Sequence, residues 1–236
     1  MQHFFIPPFD SDYVTFSAEQ ERQMARVLRM NAGDHVIALD NSGWEFEVEL
    51  TGDGRGRVLK KRQPLTESIH HLTVYLSVIK WDKFEYALQK GTEVGVARFV
   101  PVISAHSFLQ KTAVIKPNRQ KRWRRIIAES AEQCRRSRLS VLAEPMLLAD
   151  AMAEWSTYDY AFMPAVYAKA ETVSLRAMEL PSTPQKLALA IGPEGGFTDE
   201  EVKNGRFHSA IPVSLGKRVL RAETAVVVAS ALLLTE

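Results

Sequence analysis

The chain has 236 residues, a mass of 26.6 kDa and a formal net charge of +2, which is the size of one large domain or two small ones. Apolar residues make up 46% and charged residues 25%, and these proportions exclude a disordered or fibrous chain. We expect no transmembrane helix, because no run approaches about 20 apolar residues. We expect no signal peptide, because Met1 to Asp10 has no basic region followed by an apolar core. The single cysteine, Cys134, excludes internal disulfides and predicts a reducing compartment, the cytoplasm.

Residues 1–67 are typical of a small β-rich module. Ser17 and Gln20 form a capping-box pattern ahead of a helix in which Met24, Val27 and Leu28 repeat at helical spacing. Closely spaced strand-like runs then predict a small β-barrel. These runs are His35 to Leu39, Glu45 to Leu50 and Arg57 to Lys61, and the stretch from Pro64 to Ser68 is the predicted boundary.

From His71 onward, strands alternate with helices, which predicts an α/β domain with a mostly parallel sheet. Asp82 and Glu85 are predicted to cap the first helix of this part. The predicted strands are Leu72 to Val78, Arg98 to Ile103, Tyr158 to Met163, Lys186 to Ile191 and Ile211 to Ser214. The strongest predicted helix is Pro117 to Arg136, with Trp123, Ile126, Ile127, Ser130, Ala131 and Cys134 on one face.

Positive charge is concentrated between Lys116 and Arg138, where nine Lys or Arg face two acids. In a chain of net charge +2, this segment indicates a local contact with a polyanion. A solvated helix face is the alternative. A second set of cations, Lys80, Lys83 and Lys90, lies at the end of the first α/β strand and along the following helix, and by itself is interpreted as solvated lysines.

Two segments near the carboxyl end have the pattern of ligand-binding loops. Gly192 to Gly196, named the glycine loop below, follows a predicted strand and precedes a Thr198–Glu201 capping box. It lacks both the dinucleotide fingerprint and the phosphate-loop lysine, and a tight structural turn is the alternative. The second segment, Leu215 to Thr224, follows a predicted strand and runs into the last helix. Its first part, Leu215 to Leu220, is named the second loop below.

The last helix, Glu223 to Leu234, has almost no polar face. Such a helix must be covered on more than one side, so we predict a homodimer. Arg218 and Arg221 lie near its N-terminus, where the helix dipole disfavours cations, and this indicates an anionic partner. A plain helix start with Glu223 in its first turn is the alternative.

Taken together, these segments resemble one family, the bacterial 16S ribosomal RNA uracil-N3 methyltransferases of the SPOUT (α/β-knot) superfamily. The resemblance covers nearly the whole chain. It rests on IGPEGGFTDEE, SLGKRVLRAETA, Glu132-Gln133-Cys134, the lysine motif around Lys80 to Gly95 and Arg26-Val27-Leu28-Arg29.

The resemblance implies a PUA-like β-barrel that holds RNA at residues 1–67 and a trefoil-knotted SPOUT methyltransferase domain at residues 71–236. It also implies a homodimer and a cytoplasmic enzyme that uses S-adenosylmethionine to methylate N3 of one uridine in the decoding region of 16S RNA, within the small ribosomal subunit. We expect no metal and no membrane partner.

The resemblance assigns roles to residues of this chain. Arg221 would stabilise negative charge on a uracil oxygen, with Glu223 and Thr224 as proton-accepting or orienting groups. The predicted cofactor-binding residues are Gly192, Pro193, Glu194, Gly195, Gly196, Leu215, Gly216 and Leu220. The predicted RNA-binding residues are Arg26, Arg29, Lys80, Lys83, Lys90, Arg122, Arg124, Arg125, Arg135, Arg138 and Arg218.

The chain departs from the family pattern at several places. Ala105-His106 stands where the family usually has Glu-Arg, so a contact made there by the family's side chains must differ here. Other departures are Gln23, Ala222, Arg136 and Ser140. Two other functions stay open: a related enzyme with another acceptor, such as a ribose 2′-hydroxyl, and a non-enzymatic ribosome-assembly factor. A nicotinamide oxidoreductase is disfavoured because the glycine fingerprint is missing.

Overall fold

The computed structural model describes residues 1–165 and 171–235, which fall into two compact units. The first unit contains Met1–Glu67 and Ala128–Leu139, and the second contains Ser68–Ile127 and the chain from Ser140 onward. The end of the basic segment therefore groups with the N-terminal module. No helix among the described residues is long and apolar enough to cross a membrane.

A five-stranded sheet forms the first unit, in the order β1-β3-β4-β5-β2. The bounds predicted for two of its strands, β3 and β4, are confirmed. They are joined by a tight loop in which Asn41 and Gly43 have φ of 63° and 92°. Closure of the sheet into a PUA-like barrel stays a prediction. The strands are β1 (His3–Phe5), β2 (Tyr13–Thr15), β3 (His35–Leu39), β4 (Glu45–Leu50) and β5 (Arg55–Arg62).

The helix of this unit begins with the predicted capping box, in which Ser17 and Gln20 exchange hydrogen bonds ahead of α1 (Ala18–Arg22). The chain then continues as a π-helical turn, Gln23–Val27. The wider π turn rotates the later side chains, so Met24 is buried whereas Val27 is 72% exposed. The prediction that Val27 shares the buried face is therefore wrong.

The second unit has an eight-stranded sheet in which every pair is parallel, and this confirms the predicted parallel α/β architecture. Its order is β11-β13-β10-β12-β6-β7-β8, with β9 also paired to β7. The strands are β6 (His71–Ser77), β7 (Arg98–Ile103), β8 (Val141–Leu142), β9 (Met146–Leu147), β10 (Tyr160–Pro164), β11 (Val173–Ser174), β12 (Lys186–Ile191) and β13 (Ala210–Ser214).

Apolar clusters lie on both faces of this sheet. On β6, Leu72, Val74 and Leu76 belong to one cluster, whereas Tyr75 belongs to the other, as expected when successive side chains point to opposite faces. The sheet is thus buried on both sides, as parallel sheets are. The helices are α2 (Trp81–Val94), α3 (Pro117–Gln133), α4 (Leu148–Ala153), α5 (Asp199–Phe207) and α6 (Ala222–Leu234).

The predicted cap of α2 by Asp82 is wrong. The residue at the N-cap is Lys80, and Asp82 lies inside the first turn. The carboxylate of Glu85 instead accepts hydrogen bonds from Arg119 and Arg122 of α3. These charged partners hold the pKa of Glu85 below its usual value, chiefly through the hydrogen bond from Arg122 and against the opposing effect of burial.

Candidate functional site

Three neighbouring strands of the second sheet, β13, β10 and β12, end at the same edge because they are parallel. Pro164 ends β10, the glycine loop follows β12, and the second loop follows β13. Ligands of open α/β sheets bind at such carboxyl ends. The topology therefore brings together two loops that lie more than 15 residues apart in the sequence.

These chain segments line one open cleft with about 570 Å³ of empty volume, including the solvent at its mouth. Small-molecule sites are concave and mostly apolar with a few polar groups, and the lining of this cleft has that composition. Its lining combines backbone of the glycine loop with apolar side chains of the second loop. The lining residues are Pro164, Ile191, Gly192, Pro193, Glu194, Gly196, Leu215, Gly216, Arg218, Val219, Leu220, Ala222 and Ala225.

The glycine loop is a tight turn in which the Gly196 N–H donates to the Pro193 carbonyl at 2.8 Å. Gly196 has φ of 68°, which favours glycine. A Cβ on Gly192 would lie 3.2 Å from the Phe197 ring and 3.4 Å from the Gly196 carbonyl carbon. Because Gly192 and Gly196 have no side chain, the turn folds closely on itself and presents its backbone to the cleft.

A second turn, after β7, packs against the glycine loop. The Nδ1 atom of His106 lies 3.2 Å from the Gly196 carbonyl oxygen, and the Ala105 N–H donates to Glu201 Oε1 at 2.7 Å. Because a carbonyl oxygen only accepts, Nδ1 of His106 carries the proton. A Cβ on Gly195 would lie 3.1 Å from the His106 Cβ. The two residues that depart from the family pattern thus contact the glycine loop and the helix that follows it.

The lysines at the start of α2 face the glycine loop. Lys83 Nζ lies 3.1 Å from Glu194 Oε1. Partial burial acts to raise the pKa of Glu194, but a backbone hydrogen bond and the charges of Lys83 and Lys80 together lower it below the usual value. Lys90, by contrast, pairs with Glu93 on its own helix at 2.8 Å. Lys80 and Lys83 therefore belong to the surroundings of the glycine loop, and Lys90 has a local partner.

The predicted catalytic residues lie where the second loop becomes α6. Arg221 is the N-cap residue of that helix, and its side chain is exposed. Thr224 is exposed as well, whereas Glu223 is partly buried. Oε2 of Glu223 is inaccessible to solvent and has no hydrogen-bond partner among the described residues. A buried carboxylate oxygen is costly without a partner, so this atom indicates a place for a donor from a ligand or water.

The predicted RNA-binding residues divide between the two units. Four lie in the first unit and are exposed: Arg26, Arg29, Arg135 and Arg138. Those on α3 in the second unit have acidic partners, since Arg122 forms two 2.8 Å hydrogen bonds with Glu85, and Arg124 contacts Glu144 at 3.2 Å. These partners reduce the net charge of that face. Among the described residues, no cluster of His, Cys, Asp and Glu could hold a metal ion.

Comparison with known proteins agrees with this geometry. A family model described as an RNA methyltransferase domain matches residues 66–234. The chain is 30% identical over 220 residues, which are 92% of this chain and 71% of the relative, to the ribosomal RNA small subunit methyltransferase E of Synechocystis. The Bacillus subtilis protein of the same name is 28% identical, with 95% of this chain and 93% of the relative covered.

Solved structures agree as well. A Neisseria gonorrhoeae ribosomal RNA small subunit methyltransferase E bound to S-adenosyl methionine is 26% identical, with a TM-score of 0.86 over 98% of this chain and 95% of that chain. A Legionella pneumophila putative methyltransferase in complex with the same cofactor is 27% identical, with a TM-score of 0.83 over 98% and 96%. Sequence and fold together show that the chain belongs to the RNA methyltransferase family that includes the ribosomal RNA small subunit methyltransferases E.

Proposed function

We propose that this protein transfers a methyl group from S-adenosylmethionine to N3 of a specific uridine in the decoding region of 16S RNA, in the small ribosomal subunit. The observation that carries the proposal is the single cleft formed by the glycine loop and the second loop. Relatives of this chain are named ribosomal RNA small subunit methyltransferase E, and two of the similar structures hold S-adenosylmethionine.

The residues of the cleft fit this cofactor. Leu215 and Leu220 supply apolar side chains, and the glycine loop supplies backbone groups free of obstructing Cβ atoms. At Gly216, which has φ of 121°, a Cβ would meet no atom within 4 Å, so the second loop leaves open space. Of the eight predicted cofactor-binding residues, Gly195 alone does not line the cleft, and its role is to pack against His106.

The cofactor, when bound, supplies an electrophilic methyl group on a sulfonium centre. Uridine N3 carries a proton, so the protein must accept that proton or stabilise the uracil anion that remains. Arg221 lies between Leu220 and Ala222, which both line the cleft, and its guanidinium is exposed to an incoming base. In this proposal Arg221 stabilises the charge on a uracil oxygen, while Glu223 and Thr224 orient the base or accept its proton.

RNA contacts and assembly complete the proposal. The target base must be unpaired or flipped, because N3 faces the partner base in a helix. In this proposal the first unit is a PUA-like module whose exposed arginines contact phosphates. Cations of the second unit also contact them: Lys80, Lys83, Lys90, Arg125 and Arg218.

The SPOUT trefoil knot and a cytoplasmic homodimer are part of the same proposal. A second subunit would cover the incompletely buried apolar residues of α6, which are Val227, Val228, Ala231 and Leu232.

Mass spectrometry of 16S RNA tests this function. RNA from cells that lack the protein is expected to lack one N3-methyluridine, and treatment of their small subunits with the protein and S-adenosylmethionine should restore it. A restored methyl group on a ribose or on another base would select the related-enzyme alternative. Absence of cofactor binding in calorimetry would instead support an assembly factor and overturn the proposal.

The contact between His106 and the glycine loop leads to a prediction on cofactor affinity. His106→Ala is expected to weaken S-adenosylmethionine binding about fivefold, because one neutral hydrogen bond to the loop is lost. His106→Asn should retain most of the affinity, since its amide nitrogen can donate to the Gly196 carbonyl from nearly the same position. Calorimetry with both variants measures this difference, and equal affinities for wild type and alanine variant would show that the contact does not hold the loop.

A further inference from the structure

Three aromatic side chains form a row from the core to the surface of the second unit. The row begins at Trp123, which is fully buried, and its ring centroid lies 5.9 Å from that of Trp81. Trp81 in turn meets Phe108 edge to face, with centroids 5.9 Å apart and planes at 85°. Phe108 is 52% exposed. The row therefore ends at the Phe108 ring, which packs against Trp81 and is about half exposed to solvent.

The backbone at Phe108 is held next to the sheet by a hydrogen bond. The Phe108 N–H donates to the Val78 carbonyl at 2.9 Å, just beyond the carboxyl end of β6. Trp81 is the first residue of α2, and the Arg119 guanidinium lies 4.8 Å from its ring centroid. Phe108 leaves about half of its surface in water, so a partner that covers the ring would contribute further stabilisation.

The surroundings of Phe108 carry positive charge. Lys80 precedes Trp81, and Lys111 follows Phe108 by three residues; both side chains are exposed. Arg119 lies over the Trp81 ring and also pairs with Glu85. An aromatic ring among cations matches single-stranded nucleic acid, which offers bases for stacking and phosphates for pairing. An apolar protein partner would gain nothing from these charges.

The exposed ring is close in structure to the candidate active site. His106, two residues before Phe108, contacts the glycine loop. Lys83, two residues after Trp81, pairs with Glu194 of the same loop. The segments that carry Phe108 and Trp81 thus both contact the loop that lines the cleft.

We propose that Phe108, supported by Trp81, is a stacking site for an unpaired nucleobase of the RNA substrate, next to the base that enters the cleft. This inference rests on the proposed RNA substrate and names a contact to it. The stacked base would keep the RNA beside the target uridine unpaired, while Lys80 and Lys111 contact the phosphates of that RNA. Stacking does not require a particular base, since every base offers a π face.

Three variants of Phe108 test the stacking role. Phe108→Ala and Phe108→Leu are expected to raise KM for unmethylated small subunits about tenfold, because stacking on one base contributes on the order of 1–3 kcal/mol. Phe108→Trp should keep KM near the wild-type value. Phe207→Ala is the matched control, since Phe207 is an 84% exposed phenylalanine on α5 of the same unit, and its KM should not change.

Separate measurements distinguish failure of this inference from failure of the proposed function. S-adenosylmethionine affinity should be equal in all four variants, and direct binding to small subunits is measured even if no methyl transfer occurs. A leucine variant as active as wild type, or an alanine variant with unchanged subunit binding, overturns the stacking site. A change of molar mass in light scattering on Phe108→Ala would assign the ring to contact with a second copy, and this outcome also overturns it.

Discussion

Arg221→Ala is expected to lower kcat for methyl transfer by about 100-fold or more, the usual loss when a group that stabilises developing charge is removed. The guanidinium is exposed at the N-cap of α6, where the helix dipole disfavours a cation. It forms no ion pair with any described residue. Its charge is therefore available to a uracil oxygen that becomes negative when N3 loses its proton.

Affinity for S-adenosylmethionine should stay within about twofold in this variant, because Arg221 does not line the cleft. Arg221→Lys should recover part of kcat, since lysine keeps the positive charge but lacks the planar guanidinium with its several N–H donors. Lys203→Ala removes an exposed cation from α5 and is the control for net charge. Single-turnover methylation of small subunits measures the rate, and an alanine variant with wild-type kcat would exclude the proposed role.

Glu67→Ala is expected to lower the free energy of unfolding by about 3 kcal/mol, since it removes a carboxylate partner of a buried guanidinium. Arg136 is 4% exposed and donates to Glu67 Oε2 through Nε at 3.1 Å and Nη2 at 2.7 Å. Glu67 Oε1 also accepts from the backbone N–H groups of Ser137 and Arg138, both at 3.2 Å. The substitution thus leaves a buried guanidinium without this carboxylate and two amides without their acceptor.

The exposed pair of Arg124 and Glu144 provides the comparison for this loss. Their side chains are 52% and 73% exposed, so Glu144→Ala is expected to cost less than about 1 kcal/mol. Urea denaturation followed by circular dichroism measures both variants. Equal losses for the two would show that the Glu67 contact is no stronger than a surface pair.

Local sequence patterns were sufficient to predict much of the fold. Both capping boxes formed as predicted, because each needs only a side chain and a backbone group three residues apart. The bounds of β3, β4, β7 and β12 also agree with the prediction, since apolar runs between turn residues define them. The predicted cap at Asp82 is wrong because the N-cap residue of α2 is Lys80. The predicted burial of Val27 is wrong because a π-helical turn replaces the α-helical spacing there.

The sequence by itself determined the α/β class, the two loops near the carboxyl end and, through its motifs, the resemblance to one methyltransferase family. Only the tertiary structure showed that His106 meets Gly196, that Phe108 ends an aromatic row, and that Glu67 pairs with Arg136. The His106 and Arg136 contacts join residues 90 and 69 positions from their partners. Local propensity and periodicity extend over only a few residues, so contacts of this kind depend on the strand order and packing of each unit.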